Sequence, residues 1–194
     1  MTLIVLLGSL IAVGLRLAPG GSVREPMPLA ITGAIDFDPE GGEGQDPARS
    51  ENPGDVWQTH DGDPATAWTT VAYRNPDMDK QGLGIVFDLG EVRTIQRADV
   101  TLTEPGATVD LRVPVDSDTN DTLSLQDIQQ TQNVVDWEAV ASGEPRVGAD
   151  VTPQDITLEP DKPVKTRFVL VLFTELPPVG NSYQSGIAEA VFWG

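Results

Sequence analysis

The sequence predicts an all-β protein, an antiparallel β-sandwich of jelly-roll type, with an apolar N-terminal helical segment. Three observations support this fold class. Short apolar segments, rich in β-branched and aromatic residues, recur along the chain with Gly, Pro, Asn and Asp between them. No long amphipathic helical pattern interrupts them, and no internal repeat is evident. This arrangement is typical of two packed antiparallel sheets rather than of alternating strands and helices.

The apolar segments locate the strands. The strongest prediction is residues 164–174, because Phe168 to Phe173 is almost wholly apolar and β-branched or aromatic. Pro105 and Gly106 are turn residues, so we expect a hairpin-type turn between the strands on either side. A helical turn is predicted at 55–60, a short helix at 123–132 and a long polar loop at 38–54. The predicted strands are residues 29–37, 83–89, 92–103, 108–115, 134–141, 155–158, 164–174 and 186–193.

The N-terminal residues differ from the rest of the chain. Residues 2–15 carry no charge, and Arg16 ends this apolar segment. A bilayer crossing takes about 20 apolar residues, so the segment is short for a full span, and it lacks the basic start and cleavage site of a secretory signal. Either the chain is the C-terminal part of a longer protein, cut inside its last transmembrane helix, or the segment is a complete short anchor. We therefore divide the chain into a partial transmembrane or anchor segment (1–17), a linker (18–27) and a β-sandwich domain (28–194).

Composition limits the chemistry that the domain can perform. The 194 residues include no Cys and one His, so disulfides and thiolate metal sites are excluded. The formal net charge of -18 repels phosphate backbones, so we expect no nucleic-acid partner. Such a surface suits cations, neutral polar ligands such as sugars, or a basic protein face. His60 has no Ser or Lys near it to complete a nucleophile pattern, and 30 acidic residues give too many carboxylate pairs to select a glycosidase pair.

One motif indicates a particular kind of sandwich. Residues 61–70 read DGDPATAWTT, and IVFDLG follows at 85–90. These segments resemble the Asp-Gly…Thr-x-Trp stretch and the following strand of discoidin-like, galactose-binding-like jelly rolls, which include many carbohydrate-binding modules. In many of those proteins matching oxygens enclose a structural cation, so the resemblance implies a Ca²⁺ site. The alternative is that the Asp residues only cap the turn and that the Glu of the last strand pairs with a base. The matching residues are Asp61, Asp63, Thr66 and Glu189.

A closer resemblance covers most of residues 28–194. It rests on DFDP (36–39), EN (51–52), DGDPATAW (61–68), GLGIVFDLG (82–90), RFVLVLFTELPPV (167–179) and IAEAVFWG (187–194), in that order. This series is similar to the C-terminal domain of actinobacterial MviN/MurJ-family proteins. In that family a lipid-linked peptidoglycan-precursor flippase and a pseudokinase-like region precede one more transmembrane helix and an extracellular domain similar to carbohydrate-binding proteins. The resemblance implies a location in the cell membrane, with the β domain extracytoplasmic, and it assigns no transport or phosphorylation chemistry to this chain.

Aromatic side chains in loop-like contexts are candidates for contact with a sugar, because their faces stack on its apolar patches. Neighbouring polar groups could bind the hydroxyls. The alternative for these aromatics is packing under long loops. Trp68 and Trp193 occupy strand-like contexts instead, and we expect both in the core. The candidate ligand-binding residues are Trp57, Tyr73, Arg74, Asn75 and Tyr183.

The acidic segment 116–133, expected as a loop insertion in the sandwich, carries a second candidate Ca²⁺ site. Its D-x-D-x-N spacing, with Asp at the twelfth position, resembles the calcium loops of EF-hands and dockerins. The sixth position is Asp121, where those loops use Gly for a sharp turn. The alternative is a solvated loop whose Asp residues cap a short helix. The candidate ligands are Asp116, Asp118, Asn120, Thr122, Ser124 and Asp127.

Together these features predict a non-catalytic, extracytoplasmic binding module within an MviN/MurJ-like membrane protein. The expected partners are a cell-wall carbohydrate or a peptidoglycan precursor, the membrane through the N-terminal segment, and structural Ca²⁺. The alternative function is a protein–protein interaction or structural cap domain of the cell envelope. Discoidin-like sandwiches also bind proteins, and a fold alone does not decide its function.

Overall fold

The computed structural model describes residues 25–40, 51–116, 122–143 and 154–194 of the chain. Residues Pro53–His60 and Val134–Asp136 form 3-10 helices, and Leu125–Gln130 form helix α1. The predicted anchor segment, residues 1–17, lies outside the described residues. Within the ranges given, no helix has the length and apolarity needed to cross a membrane. The strands are β1 (Gly33–Phe37), β2 (Trp68–Thr69), β3 (Leu83–Ile95), β4 (Arg97–Leu102), β5 (Thr108–Pro114), β6 (Trp137–Gly143), β7 (Gln154–Leu158), β8 (Val164–Glu175), β9 (Pro178–Val179), β10 (Ser182–Tyr183) and β11 (Gly186–Trp193).

In the described part of the chain, these strands form two main antiparallel sheets and a short β9–β10 pair. The larger sheet has the order β1-β3-β8-β5-β6, and the smaller sheet has the order β2-β11-β4-β7. The main core lies between them and combines residues of the larger sheet, such as Phe87 and Phe173, with residues of the smaller sheet, such as Trp68 and Phe192. The antiparallel sandwich predicted from the sequence is confirmed.

The predicted strand at 164–174 is the central strand β8, and it is buried on both faces. Its odd-numbered residues from Val169 to Phe173 belong to the core between the sheets. Its even-numbered residues from Phe168 to Leu172 belong to a second apolar cluster, where Ile128 of α1 and Trp137 pack on the outer face. Side chains alternate between the two faces of a strand, so a strand that is covered on both faces needs an unbroken apolar run.

Two predictions about the path of the chain were wrong. Residues 92–103 do not form one strand, because β3 extends through Ile95 and β4 begins at Arg97 in the other sheet. The turn at Pro105-Gly106 exists, with Gly106 at φ 98°, but it leads from β4 in the smaller sheet to β5 in the larger one. Turn residues reverse the chain, but they do not specify which sheet receives the next strand.

The segment before β1 joins the two sheets. The predicted strand 29–37 begins only at Gly33, because the residues before it follow the C-terminal strand: the Leu29 N–H donates to Phe192 O at 2.7 Å. The prediction that Trp193 belongs to the core was wrong, since this residue is only half-buried and the Arg97 guanidinium stacks on its ring at 4.5 Å. Trp68 is fully buried, as predicted.

Candidate functional site

The turn at residues 61–66 follows the first 3-10 helix and leads into β2. Asp61 organises it through both carboxylate oxygens: the Asp63 N–H donates to Oδ1 at 2.8 Å, and the Thr66 hydroxyl donates to Oδ2 at 2.8 Å. Gly62 adopts a φ of 81°, which a residue without a Cβ tolerates. Its N–H donates to Glu189 Oε2 at 2.9 Å. The residues predicted for the first cation site therefore meet here, although Glu189 lies on β11.

Hydrogen bonds lower the pKa of Asp61, whereas burial raises the pKa of Glu189. Donation by the Asp63 N–H and the Thr66 hydroxyl lowers the pKa of Asp61. Burial raises the pKa of Glu189, and the nearby charge of Asp61 adds to that effect while the Gly62 N–H opposes it. Among the described residues Glu189 takes part in no ion pair with a base. Asp61 of the turn and Glu189 of β11 thus lie close together, and in the described part of the chain neither forms a salt bridge with a base.

This oxygen set fits Ca²⁺ if uncharged oxygens join the carboxylates. Within the described ranges, no three His, Asp or Glu side chains are placed to hold a metal ion by themselves. Thr66 Oγ1, however, lies 2.9 Å from the Asp63 carbonyl oxygen, so hydroxyl and main-chain oxygens converge beside the Asp61 carboxylate. Ca²⁺ takes roughly six to eight hard oxygen ligands and accepts main-chain carbonyls among them. The turn also fits the alternative that its Asp residues only cap it, since Asp61 and Asp63 both accept hydrogen bonds from its main chain.

The second candidate cation site is only partly described. Asp118 and Asn120 lie outside the described residues, whereas Asp116 and Thr122 are exposed. Asp127 is the N3 residue of α1 and forms a capping box with Ser124: the Ser124 N–H donates to Asp127 Oδ2 at 2.9 Å. The Ser124 hydroxyl and N–H lower the pKa of Asp127. This carboxylate therefore caps a short helix, as the alternative interpretation expects.

Trp57 is the exposed aromatic residue of the first 3-10 helix, with 57% of its surface accessible. The helix packs against β1, β2 and β11 through Val56 and Thr59, which are buried. The Gln58 side chain accepts a hydrogen bond from the Ala67 N–H at 3.0 Å, and this bond ties the helix to the chain just before β2. His60 also faces inward, with its ring edge-on to Phe87 at 6.1 Å, and burial lowers its pKa. The Trp57 indole thus projects from a firmly held element.

The other predicted ligand residues form a separate group. Tyr73 and Tyr183 face each other as an antiparallel bridge, and each N–H donates to the carbonyl of the other, at 2.8 and 2.9 Å. Both side chains are half-buried, whereas Arg74 and Asn75 next to Tyr73 are exposed. The Tyr73 hydroxyl donates to Glu51 Oε1 inside the domain. Its polar atom is therefore used internally, and the exposed atoms of this group belong mainly to Arg74 and Asn75.

Sequence reasoning missed a buried polar cluster, which consists of Asp36, Asp38, Glu51, Tyr73 and Lys80. Lys80 Nζ lies 2.9 Å from Asp38 Oδ1 and 3.6 Å from Glu51 Oε1, and these three side chains are at most 2% exposed. The Glu51 N–H donates to Asp36 Oδ2 at 2.7 Å. A signal was present in the sequence, because the segments DFDP and EN belong to the ordered motif series. They lie within or beside the predicted loop 38–54, whose polarity suggested solvent exposure.

The buried polar cluster contains more carboxyl groups than basic groups. Burial raises the pKa of Asp36, and the nearby Asp38 contributes. Burial also raises the pKa of Glu51, while hydrogen bonds from Tyr73 and the Val71 N–H and the charge of Lys80 oppose the shift. Burial and the adjacent Glu51 raise the pKa of Tyr73. Such a cluster is costly to bury as charges and stable only when its hydrogen bonds are made.

Comparison with known proteins identifies the fold. No family model matches the chain. The CBM32 domain of AlyQ, in complex with 4,5-unsaturated mannuronic acid, has a TM-score of 0.54 at 14% identity, covering 86% of this chain and 97% of that one. The CBM32-1 and CBM32-2 domains of Clostridium perfringens ZmpB, in complex with GalNAc, give 0.51 at 14% identity, with coverage of 87% and 34%. The chitosan-binding module 1 of a Paenibacillus sp. IK-5 chitosanase/glucanase gives 0.50 at 18% identity, with coverage of 88% and 98%.

These similarities place the domain in the discoidin-like, galactose-binding-like fold that the 61–70 motif suggested. At identities of 14 to 18% they establish the fold alone. The chain spans 33% of a truncated AlyQ that also contains an alginate lyase domain, so it corresponds to one part of that protein.

Proposed function

We propose that the domain is a non-catalytic glycan-binding module that presents Trp57 to its ligand. The observation that carries this proposal is the exposure of the Trp57 indole, 57% accessible on a helix fixed to both sheets. Carbohydrate-binding modules with the same fold have been solved with an unsaturated mannuronic acid and with GalNAc. An indole face offers a sugar ring an apolar contact at little conformational cost.

The charge of the domain narrows the class of glycan. Asp55, Asp61 and Asp63 are exposed beside Trp57 in the sequence, and the whole chain carries a net charge of -18. Such a surface repels polyanionic sugars, attracts amino-bearing ones and does not oppose neutral ones. The ligand we propose is a cell-wall glycan or a peptidoglycan precursor on the extracytoplasmic side of the membrane.

Isothermal titration with muropeptides, arabinogalactan fragments and chito-oligosaccharides tests this proposal. We expect Trp57→Ala to weaken binding at least tenfold, since the substitution removes the indole face that contacts the sugar ring, and the whole sugar-binding surface is small. Val135→Ala is the matched control, because Val135 is also exposed, at 67%, but lies on the second 3-10 helix. Absence of binding at millimolar glycan, or equal effects of the two substitutions, would refute the proposal.

We also propose that a structural Ca²⁺ ion binds at the 61–66 turn. Asp61, Asp63, Thr66 and Glu189 would hold it, together with main-chain oxygens of the turn. Bound there, the ion would supply positive charge between carboxylates that no basic side chain separates among the described residues, and it would fix the turn next to Trp57. Its role would be to order the 61–66 turn rather than to take part in catalysis.

The membrane context is a further part of the proposal. The ordered motif series and the apolar residues 2–15 support a place for this domain after the last transmembrane helix of an MviN/MurJ-like protein. Protease treatment of intact cells tests the orientation, because an extracytoplasmic domain is cleaved without lysis. The coding sequence upstream of this chain tests the proposed MviN/MurJ family membership. If it encodes no flippase-like region, the similarity to that family is one of fold alone.

A further inference from the structure

The buried polar cluster brings an amine into contact with a carboxyl group away from solvent. Lys80 Nζ lies 2.9 Å from Asp38 Oδ1, and a second carboxyl oxygen, Glu51 Oε1, lies 3.6 Å from the same nitrogen. The exposed fractions of the three side chains are 2%, 1% and 2%. The partners of a surface salt bridge are solvated and mobile. Here the Lys80 amine and the carboxyl groups of Asp38 and Glu51 are held together away from solvent.

Each of the three groups is fixed by further contacts. The Asp38 N–H donates to Gln132 Oε1 at 2.7 Å, and Glu51 Oε2 accepts from the Val71 N–H at 2.8 Å. Lys80 Nζ donates to the Tyr73 hydroxyl at 2.6 Å and lies 4.7 Å from the centre of the Tyr73 ring. Groups held in this way react as parts of one molecule, and well-oriented intramolecular reactions reach effective concentrations far above any achieved in solution.

We propose that Lys80 and Asp38 condense within the folded domain to form an isopeptide bond, with Glu51 as the proton relay. Transfer of the proton from the Lys80 ammonium to the Asp38 carboxylate gives a neutral amine and a neutral acid, which a dry site favours over the ions. The Nζ lone pair then attacks Asp38 Cγ and forms the C–N bond. Glu51 accepts a proton from Nζ and delivers it to the departing hydroxyl, and the C–O bond breaks.

The reaction balances without an oxidant or a reductant. One amine and one carboxylic acid become one amide and one water molecule, and Glu51 returns to its starting protonation state. Burial raises the pKa of Glu51, which makes its carboxylate a stronger base for the Nζ proton that it then passes to the leaving oxygen. Replacement of a buried ion pair by a neutral amide also removes the cost of keeping two charges out of water.

The bond would clamp the first strand of the domain. Asp38 directly follows β1, and Lys80 shortly precedes β3, the strand with which β1 pairs along its whole length. The two residues lie 42 positions apart. A covalent link across this loop limits the unfolded chain and keeps β1 from separating from the edge of the sheet.

Intact-mass measurement of the denatured full-length chain tests the proposal. We expect the wild type to be lighter than its sequence mass by one water molecule, and a tryptic digest to contain one branched peptide that joins the Asp38 and Lys80 segments. Lys80→Arg keeps the positive charge but should show the full sequence mass. Glu51→Gln should leave most of the chain uncondensed. Lys162→Arg, at an exposed lysine, is the matched control and should retain the loss.

Two results would overturn the proposal. One is a folded wild type, verified by circular dichroism, that shows its full sequence mass after prolonged incubation; Lys80 and Asp38 would then form only an ion pair. The other is a water loss that persists in Lys80→Arg, because cyclisation at Asp61-Gly62 also releases one water. Fragment spectra of the digest separate these sources, and their interpretation is independent of glycan binding.

Discussion

The main-chain N–H of Gly62 donates to Glu189 Oε2 at 2.9 Å and joins the 61–66 turn to the last strand, 127 residues further along the chain. Without this bond the turn would be held mainly by its own local hydrogen bonds. The bond also places a carboxylate of β11 beside Asp61. The position of the proposed cation depends on this hydrogen bond. So does the order of the turn that directly follows the 3-10 helix of Trp57.

The first prediction concerns Ca²⁺. We expect Ca²⁺ to raise the melting temperature relative to EDTA, because an ion that binds only the folded state stabilises it, by about 2.7 kcal/mol at a concentration 100 times its Kd. Glu189→Gln should lose most of this rise in differential scanning calorimetry. Asp127→Asn is the control: it should lower stability through the α1 cap but keep the response. A response lost in Asp127→Asn and kept in Glu189→Gln would place the ion in the acidic insertion instead.

The second prediction concerns pH. Burial raises the pKa of Asp36 above its ordinary value of 3.8, so the folded state binds this proton more tightly than the unfolded state does. The resulting stabilisation is complete below the unfolded pKa and is lost as pH rises through the folded pKa. We therefore expect the free energy of unfolding to fall as pH rises from about 4, and Asp36→Asn to flatten this dependence.

Urea unfolding at a series of pH values measures the effect. The negative charge of the whole chain changes stability in the same pH range, so the informative quantity is the difference between wild type and Asp36→Asn. Glu138→Gln, at an exposed position of β6, should follow the wild type. If Asp36→Asn showed the wild-type slope, the buried carboxyl would not be protonated in the folded domain.

The third prediction tests the pairing of β3 with β8. A Cβ on Gly84 would lie 1.9 Å from the carbonyl oxygen of Val171, closer than packed atoms allow. We expect Gly84→Ala to destabilise the domain by about 1–3 kcal/mol or more in chemical denaturation, because the strands must separate locally. Gly54→Ala meets nothing within 4 Å and should change stability by no more than about 0.5 kcal/mol. Equal stabilities would contradict this register.

Features that depend on local sequence could be predicted. The central strand β8 follows from its unbroken apolar run, and the 61–66 turn follows from Asp-Gly and the spaced oxygens of Asp63 and Thr66. The short helix near residue 125 follows from a Ser at its N-cap and an Asp at N3. In each case a few neighbouring residues specify the structure, so no long-range contact had to be known.

Features that depend on distant contacts could not be predicted in this way. Lys80 lies in a polar segment that resembles a solvated loop, and only the approach of Asp38 and Glu51 shows why its charge is buried. The partial exposure of Trp193 likewise results from its position at the end of β11, where Arg97 covers one face. Periodicity indicates which residues alternate along a strand, but not where the sheet ends.

The central claim, that Trp57 contacts a glycan, is tested most directly by nuclear magnetic resonance. The chain has four Trp residues, and each indole N–H gives its own signal in a ¹H–¹⁵N spectrum. Trp68 and Trp137 are buried, at 0% and 6% exposure, and serve as internal controls. During titration with a muropeptide or chito-oligosaccharide, we expect the Trp57 indole signal to shift in a saturable manner while the two buried signals stay unchanged. A Trp57 signal that does not move at millimolar glycan, or a shift confined to Trp193, would contradict the account.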